Sequence, residues 1–381
     1  MYRLYIHMGT PKTGTTAIQL FLHSNQEILQ KQGYQFPDLA SIFTGIDGLC
    51  RMNHEESLFC NGNVILDAYA TTAWEQGQEF FETYISHIFE DFRDMYRRVT
   101  PGNTQKMSDL IAYLKEALEN SNVIISSENL WTINYDWLQM FCQEIGRDNI
   151  SLILYLRRQD YYAESLWNEV VKLGSTTDSV EVYCDSLLTD PQDSHGMKYL
   201  ERLNQLSSIV GSENITLKTY EKERFVPGKS SLIQDFLAAI GVMYDGYNWI
   251  VPKKISNAHL NGTSVEYKRL YNEVLMREAA KIHKYPTECI LTLSFEEFFN
   301  NPDNKSDHTT EYYLTPEYRK KLLQNVQVEN LAIAEKYLGE DTLFLDQEWN
   351  KESTLKKIDP SQQERLRLIL ENVTLSEANN S

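Results

Sequence analysis

The sequence has no uninterrupted apolar run long enough to cross a bilayer. No leader-like stretch precedes its first apolar segment, so a cytoplasmic protein is expected. Cysteine is sparse. Cys50, Cys60, Cys142, Cys184 and Cys289 are odd in number and scattered. No pair has metal-ligand spacing, which argues against a zinc site or disulfide framework and for reduced thiols. Basic residues are in deficit, with 36 Lys and Arg against 54 Asp and Glu, a net charge of −18 at pH 7. Nucleic acid and anionic membrane surfaces are therefore poor partners. Any anion site has to be built locally, from focused cations and backbone amides, because the overall field repels an anion. Internal repeats are also absent. What remains is 381 residues, 42% hydrophobic, enough for one large domain or a domain with a substantial appendage.

The first twenty residues organise the chain. Tyr2-Arg3-Leu4-Tyr5-Ile6-His7-Met8 reads as a buried strand that runs into Gly9-Thr10-Pro11-Lys12-Thr13-Gly14-Thr15-Thr16. An amphipathic helix follows, with Ile18, Phe21, Leu22, Ile28 and Leu29 at helical spacing. Strand, glycine-bearing loop and helix form a phosphate cradle, in which loop N–H groups and the positive helix end face an anion. The loop satisfies G-x-x-x-x-G. However, Thr15 stands where a nucleotide-hydrolysing loop places its lysine, and the lysine sits inside the loop at Lys12.

The run Pro11-Lys12-Thr13-Gly14-Thr15-Thr16 resembles the 5′-phosphosulfate loop of the sulfotransferases, P-K-[ST]-G-T-[ST]. These enzymes use 3′-phosphoadenosine 5′-phosphosulfate (PAPS) and release adenosine 3′,5′-bisphosphate (PAP). A second match lies further on. Ile150-Ser151-Leu152-Ile153-Leu154-Tyr155-Leu156 is a near-continuous apolar run of the central parallel kind. It exits into Arg157-Arg158-Gln159. Sulfotransferases bind the donor's 3′-phosphate with an arginine at such a strand end and a serine eight residues on, the spacing of Arg157 and Ser165. Arginine offers phosphate a planar fork, and serine adds a hydroxyl donor. Arg-Arg-Gln, where many members have Arg-Asn-Pro, is similar to bacterial, carbohydrate-directed members of the superfamily.

The rest of the chain predicts a short strand at Gly33–Pro37, a loop region over 38–75 and helices over 76–99 and 105–119. A buried strand at Asn122–Glu128 and helices over 135–145 and 179–210 come next. Another strand at Asn214–Glu221 and a helix at Ser231–Gly241 follow. Helices at 263–284, 315–337 and 360–372 come after a basic connector with Lys253 and Lys254, and a polar loop covers 300–311. Alternating strands and helices imply an α/β class: a P-loop-like three-layer fold with a central parallel sheet flanked by helices, plus a helical C-terminal region. The expected domains are a core over 1–260, with an insertion at about 38–120, and a helical region over 261–381 packed on it.

The resemblance implies roles residue by residue. Gly9, Pro11, Thr13, Gly14, Thr15 and Thr16 cradle the 5′-phosphosulfate. Lys12 serves the bridging oxygen and the charge that develops on it. Arg157 and Ser165 take the 3′-phosphate. No metal is required, because a sulfuryl group carries less charge than a terminal phosphate. Cytosolic members use a histidine base after the strand that precedes the arginine strand. Here that strand ends in Ser126-Ser127-Glu128. Other carbohydrate sulfotransferases use a glutamate, which makes Glu128 the expected base, with a loop-bracing role as its alternative. His54, Glu55, Glu56 and His7 are the remaining candidates, His7 being read as a hydrogen-bonded buried residue. The expected acceptor is a hydroxyl on a carbohydrate (glycan, polysaccharide or glycolipid). The alternatives are a kinase using the same loop for nucleotide and a non-catalytic PAP- or glycan-binding protein.

Overall fold

The computed structural model of the protein describes residues 2–39, 65, 68, 107–133, 135–190, 193, 196–225, 231–252, 260, 264–284, 289–291, 313–345, 360–373 and 375–377. The helix expected over 76–99, His54, Glu55, Glu56, Lys253, Lys254 and the loop at 300–311 lie outside the described residues. Within the stretch read as a loop, Ile65 and Ala68 are helical and buried. By its contacts the chain divides into two units.

The first unit comprises Met1–Arg158, Pro191–Ser256 and Gln327–Leu345. It holds a five-stranded sheet of β1 (Leu4–Gly9), β2 (Tyr34–Gln35), β3 (Asn122–Ser126), β4 (Ile150–Leu156) and β5 (Ile215–Thr219), in the order β2-β3-β1-β4-β5. Every pairing is parallel. β1 lies between β3 and β4, with Leu4 opposite Val123 on one side and Ile150 on the other. Every residue of β4 is buried, which explains its unbroken apolar run.

Both faces of the sheet are covered. On one, Ile124, Ile153 and Tyr155 pack with Ile18, Phe21 and Leu22 of α1 (Thr15–Ser24), Leu29 of α2 (Gln26–Lys31) and Phe236 and Leu237 of the later helix Leu232–Ala239. Ile125, Leu152 and Leu154 alternate with these and are fully buried on the other face. There α3 (Met107–Ala117) packs on α4 (Tyr135–Ile145), and α4 on the later helix Tyr199–Val210. This is the expected three-layer α/β arrangement with a central parallel sheet.

The second unit comprises Gln159–Asp190, Asn257–Val326 and Asp346–Ser381. Its elements are α5 (Gln159–Leu173), α6 (Val180–Thr189), then, after α7 (Tyr199–Val210) and α8 (Leu232–Ala239) of the first unit, α9 (Ser264–Lys281), most of α10 (Pro316–Ile333) and α11 (Pro360–Glu371). Two short strands, β6 (Cys289–Leu291) and β7 (Leu375–Glu377), pair antiparallel. Three residues each is too short for a period-two pattern, and the sequence reading did not foresee them. Tyr267, Leu270, Val274 and Leu370 form part of this unit's core.

The expected cut at residue 260 is not where contacts divide the chain. α5 and α6 group with the C-terminal helices, and Gln327–Leu345 returns to the sheet unit. The helix Gln159–Leu173 packs on Val180–Thr189 and Ser264–Lys281, and polar contacts accompany each grouping. Glu164 on α5 accepts the N–H groups of Tyr313 and Leu314 at 2.7 and 2.6 Å. In the other unit Glu221, just past β5, accepts the Leu345 N–H at 3.0 Å. The helix expected over 179–210 is also two helices, broken between Thr189 and Tyr199, where Asp193 and Gly196 take positive φ.

Candidate functional site

In an open parallel sheet, ligands bind at the carboxyl ends of the strands where the chain's winding reverses. Here that point lies between β1 and β4, because the chain leaves β1 toward β3 and β2 and later returns to β4 on the other side. Two of the sequence-predicted segments end there.

The first is the loop after β1. Gly9 sits opposite Tyr155. A Cβ at Gly9 would lie 2.2 Å from the Tyr155 carbonyl oxygen, so only glycine lets the strand end approach β4 this closely. The Thr10 N–H then donates to that carbonyl at 3.1 Å. The Thr13 hydroxyl closes the turn on the Thr10 carbonyl at 2.8 Å. Lys12, with φ 66°, is one of four non-glycine residues in the left-handed region among the described residues. Such backbone costs on the order of 1–2 kcal/mol and concentrates at functional sites. Gly14, also left-handed, is the N-cap of α1. Among the described residues no side chain caps this helix, and its first turn carries no acidic residue. Its first-turn N–H groups, at Thr15 and Thr16, precede the first helical bond and suit an anion. Pro11, Lys12 and Thr16 are half-buried, while Thr13 and Thr15 are buried. Tyr220, just past β5, and Leu232, at the start of the helix Leu232–Ala239, cover this turn, since a Cβ at Gly14 would lie 2.4 Å from Leu232 Cδ2 and 3.6 Å from the Tyr220 hydroxyl.

The second segment is the exit of β4. The Arg157 N–H donates to the Thr10 hydroxyl at 2.9 Å, and its guanidinium donates through Nη1 to the Lys12 carbonyl at 3.2 Å. The Tyr199 hydroxyl donates to the Arg157 carbonyl at 2.8 Å. The Arg157 side chain and the Lys12 main chain, 145 residues apart in sequence, thus meet at the strand ends. Arg158 behaves differently. It is buried and donates to the Leu345 carbonyl at 3.2 Å. Ser165 lies on α5 in the second unit and is buried.

The third component is the end of β3. Glu128 opens a 3-10 turn, Glu128–Thr132, that lies against β1. The Ser127 N–H donates to the His7 carbonyl at 3.0 Å, and the Ser127 hydroxyl accepts the Asn129 N–H at 3.1 Å, capping the turn. Glu128 is half-buried. Beneath it, His7 Nδ1 and the Ser126 hydroxyl are 2.8 Å apart, and Gln19 donates to the Ser126 carbonyl at 3.0 Å. His7 is fully buried, and burial pushes its pKa down to about 3. It is a ring enclosed in the sheet layer, in edge contact with Tyr155 and Phe236.

Thr10 and Tyr199 are contacts that the sequence reading missed. Thr10 stood inside the quoted loop, and a hydroxyl between Gly9 and Pro11 was its only signal. Nothing local marks Tyr199, which meets Arg157 across 42 residues. Among the described residues, no group of three or more His, Cys, Asp or Glu could hold a metal ion. No helix among them is long and apolar enough to cross a membrane.

No family model matches the chain. An uncharacterized protein of Archaeoglobus fulgidus is 22% identical over 229 residues, which is 58% of this chain and 55% of that protein, so the match spans about half of that relative. Among solved structures, the sulfotransferase domain from the curacin biosynthetic pathway aligns over 64% of this chain and 75% of that one, at 10% identity and a TM-score of 0.35. A sulfotransferase from Alicyclobacillus acidocaldarius aligns over 75% and 97%, at 13% identity and a TM-score of 0.35.

Proposed function

We propose that this protein is a sulfotransferase that moves the sulfuryl group of PAPS to a hydroxyl of a carbohydrate-type acceptor. The observation that carries this reading is the junction of Arg157 with the β1 loop, through the Thr10 hydroxyl and the Lys12 carbonyl, beside an uncapped helix N-terminus. It sets the fork-shaped guanidinium of Arg157 against the main chain of the loop that carries Lys12, an arrangement that suits a donor with phosphate at both its 3′ and 5′ positions. In a chain of net charge −18, such a local arrangement is how an anion can be held.

The donor supplies an activated sulfur–oxygen bond. The chain's residues hold it and handle charge. Loop N–H groups from Thr13 to Thr16 hold the 5′-phosphate, with the Thr15 and Thr16 hydroxyls. Lys12 faces the bridging oxygen, where negative charge grows as the bond to sulfur breaks. Arg157 takes the 3′-phosphate. Ser165 enters this assignment through the sequence pattern alone. The acceptor hydroxyl attacks sulfur in line, PAP leaves with the bonding electron pair, and the hydroxyl proton passes to Glu128. The carbohydrate acceptor follows from the likeness of Arg157-Arg158-Gln159 and of a glutamate base to bacterial carbohydrate-directed members.

The test is a thermal shift with PAP, Mg²⁺-ATP and 5′-AMP on wild type, Arg157→Ala and Ser165→Ala. A ligand that binds only the native state raises the melting temperature. Stabilisation by PAP that is weak with 5′-AMP and lost in Arg157→Ala supports the proposal. A response to Mg²⁺-ATP with none to PAP overturns it in favour of a kinase.

A further inference from the structure

We infer that Tyr199 is a positioning residue for the donor's 3′-phosphate, acting through the main chain of Arg157. This rests on the donor reading above. Tyr199 opens α7 and is wholly buried. Its hydroxyl grips the Arg157 carbonyl at 2.8 Å, while the Thr10 hydroxyl grips the N–H of the same residue at 2.9 Å. The peptide groups on both sides of the Arg157 Cα are therefore fixed, which aims the root of the guanidinium. The same tyrosine ring meets Trp131 edge-on, with centroids 5.9 Å apart. Trp131 belongs to the turn that begins at Glu128. One side chain thus touches both the backbone of the donor-binding arginine and the turn bearing the base candidate.

The placement of Tyr199 is itself braced. Asp193 accepts the N–H groups of Met197 and Lys198 at the start of α7, the latter at 3.0 Å. Its other oxygen takes Arg202 Nε at 2.7 Å, and Arg202 Nη1 donates to the Trp131 carbonyl at 2.9 Å. The Trp131 indole N–H donates to the Gly196 carbonyl at 3.0 Å. A Cβ at Gly196 would lie 2.3 Å from the indole nitrogen, so α7 begins where only glycine fits. Phenylalanine would fill the space of Tyr199 without a polar atom to satisfy. What the hydroxyl adds is a fixed carbonyl at Arg157, and small errors in a positioning group cost binding steeply.

The experiment is calorimetric titration of the full chain with PAP and, separately, with 5′-AMP, which lacks the 3′-phosphate. Wild type and Tyr199→Phe are compared, with circular dichroism confirming that both are folded. Loss of one hydrogen bond is expected to weaken PAP roughly three- to tenfold. The affinity for 5′-AMP should stay unchanged. If both ligands weaken alike, or neither does, Tyr199 acts on the fold and not on the 3′-phosphate, and the inference is overturned. If wild type itself binds PAP no better than 5′-AMP, the donor reading fails, and that outcome is visible without the variant.

Discussion

Gly9→Ala is the sharpest test of the loop geometry. The added Cβ would lie 2.2, 2.9 and 3.1 Å from the carbonyl oxygen, nitrogen and carbonyl carbon of Tyr155. All three are backbone atoms of the fully buried central strand β4, so no flexible side chain can swing away. The strand end must move instead. That puts at risk the Thr10 N–H to Tyr155 bond and, through Thr10, the Arg157 N–H bond. Overpacking a tight site costs about 1–3 kcal/mol and each of the two weakened hydrogen bonds about 1 kcal/mol, so a loss of about 3–5 kcal/mol is expected. Gly33→Ala is the control. A Cβ there meets nothing within 4 Å, and only its φ of +81° is strained. That variant should lose about 1 kcal/mol, the cost of left-handed backbone for a non-glycine residue. Urea midpoints measure both, and PAP titration measures the site. If Gly9→Ala were as stable as Gly33→Ala and bound PAP like wild type, the close approach of β1 to β4 would not be what shapes the loop.

Other perturbations have equally definite outcomes. Glu128→Gln should lower turnover by about 10²–10⁴-fold with PAP affinity kept, as expected for loss of a general base; lost donor binding with residual turnover would make Glu128 a brace. His7 titrates near 3 when folded but has an ordinary value of 6.5, so the unfolded chain binds the proton first. Its contribution to stability is therefore complete above about pH 6.5 and is lost as pH falls toward 3, at up to about 1.4 kcal/mol per pH unit. Urea midpoints against pH should be flatter for His7→Asn than for wild type over that window, and parallel curves would contradict the burial cause. In the second unit Arg319, fully buried, pairs with Asp160 at 2.8 Å and with Glu164. Arg319→Met should destabilise by about 3–5 kcal/mol at neutral pH by stranding two carboxylates. Because burial already raises the Glu164 pKa against the pull of Arg319, part of that loss should be recovered in Glu164→Gln/Arg319→Met, checked by the same midpoints.

The strands and the loop were legible because their signals are local. Apolar runs of strand length mark β1, β3 and β4, and turn chemistry marks Gly9 and Gly14. The run over 150–156 matches β4 residue for residue. The strand read at Asn214–Glu221 is shorter, ending at Thr219, because the chain turns into a 3-10 segment at Lys222. The resemblance of the loop and of the β4 exit to family motifs nominated Lys12 and Arg157, and the end of β3 together with that resemblance nominated Glu128.

The sequence by itself thus determined the strands of the parallel sheet, the glycine-bearing turn after the first of them, and that Arg157 follows a central strand. These are consequences of period, turn residues and charge within a few neighbours. Only the tertiary structure decided which strands are adjacent, and hence that Arg157 and Lys12 meet. It also decided that α5 groups with the C-terminal helices, that Leu345 is held beside Glu221, and that Tyr199 grips Arg157. Those contacts join residues 42, 124 and about 150 positions apart. Sheet order and helix packing minimise the free energy of the whole chain, and no window short enough to show a period contains both partners.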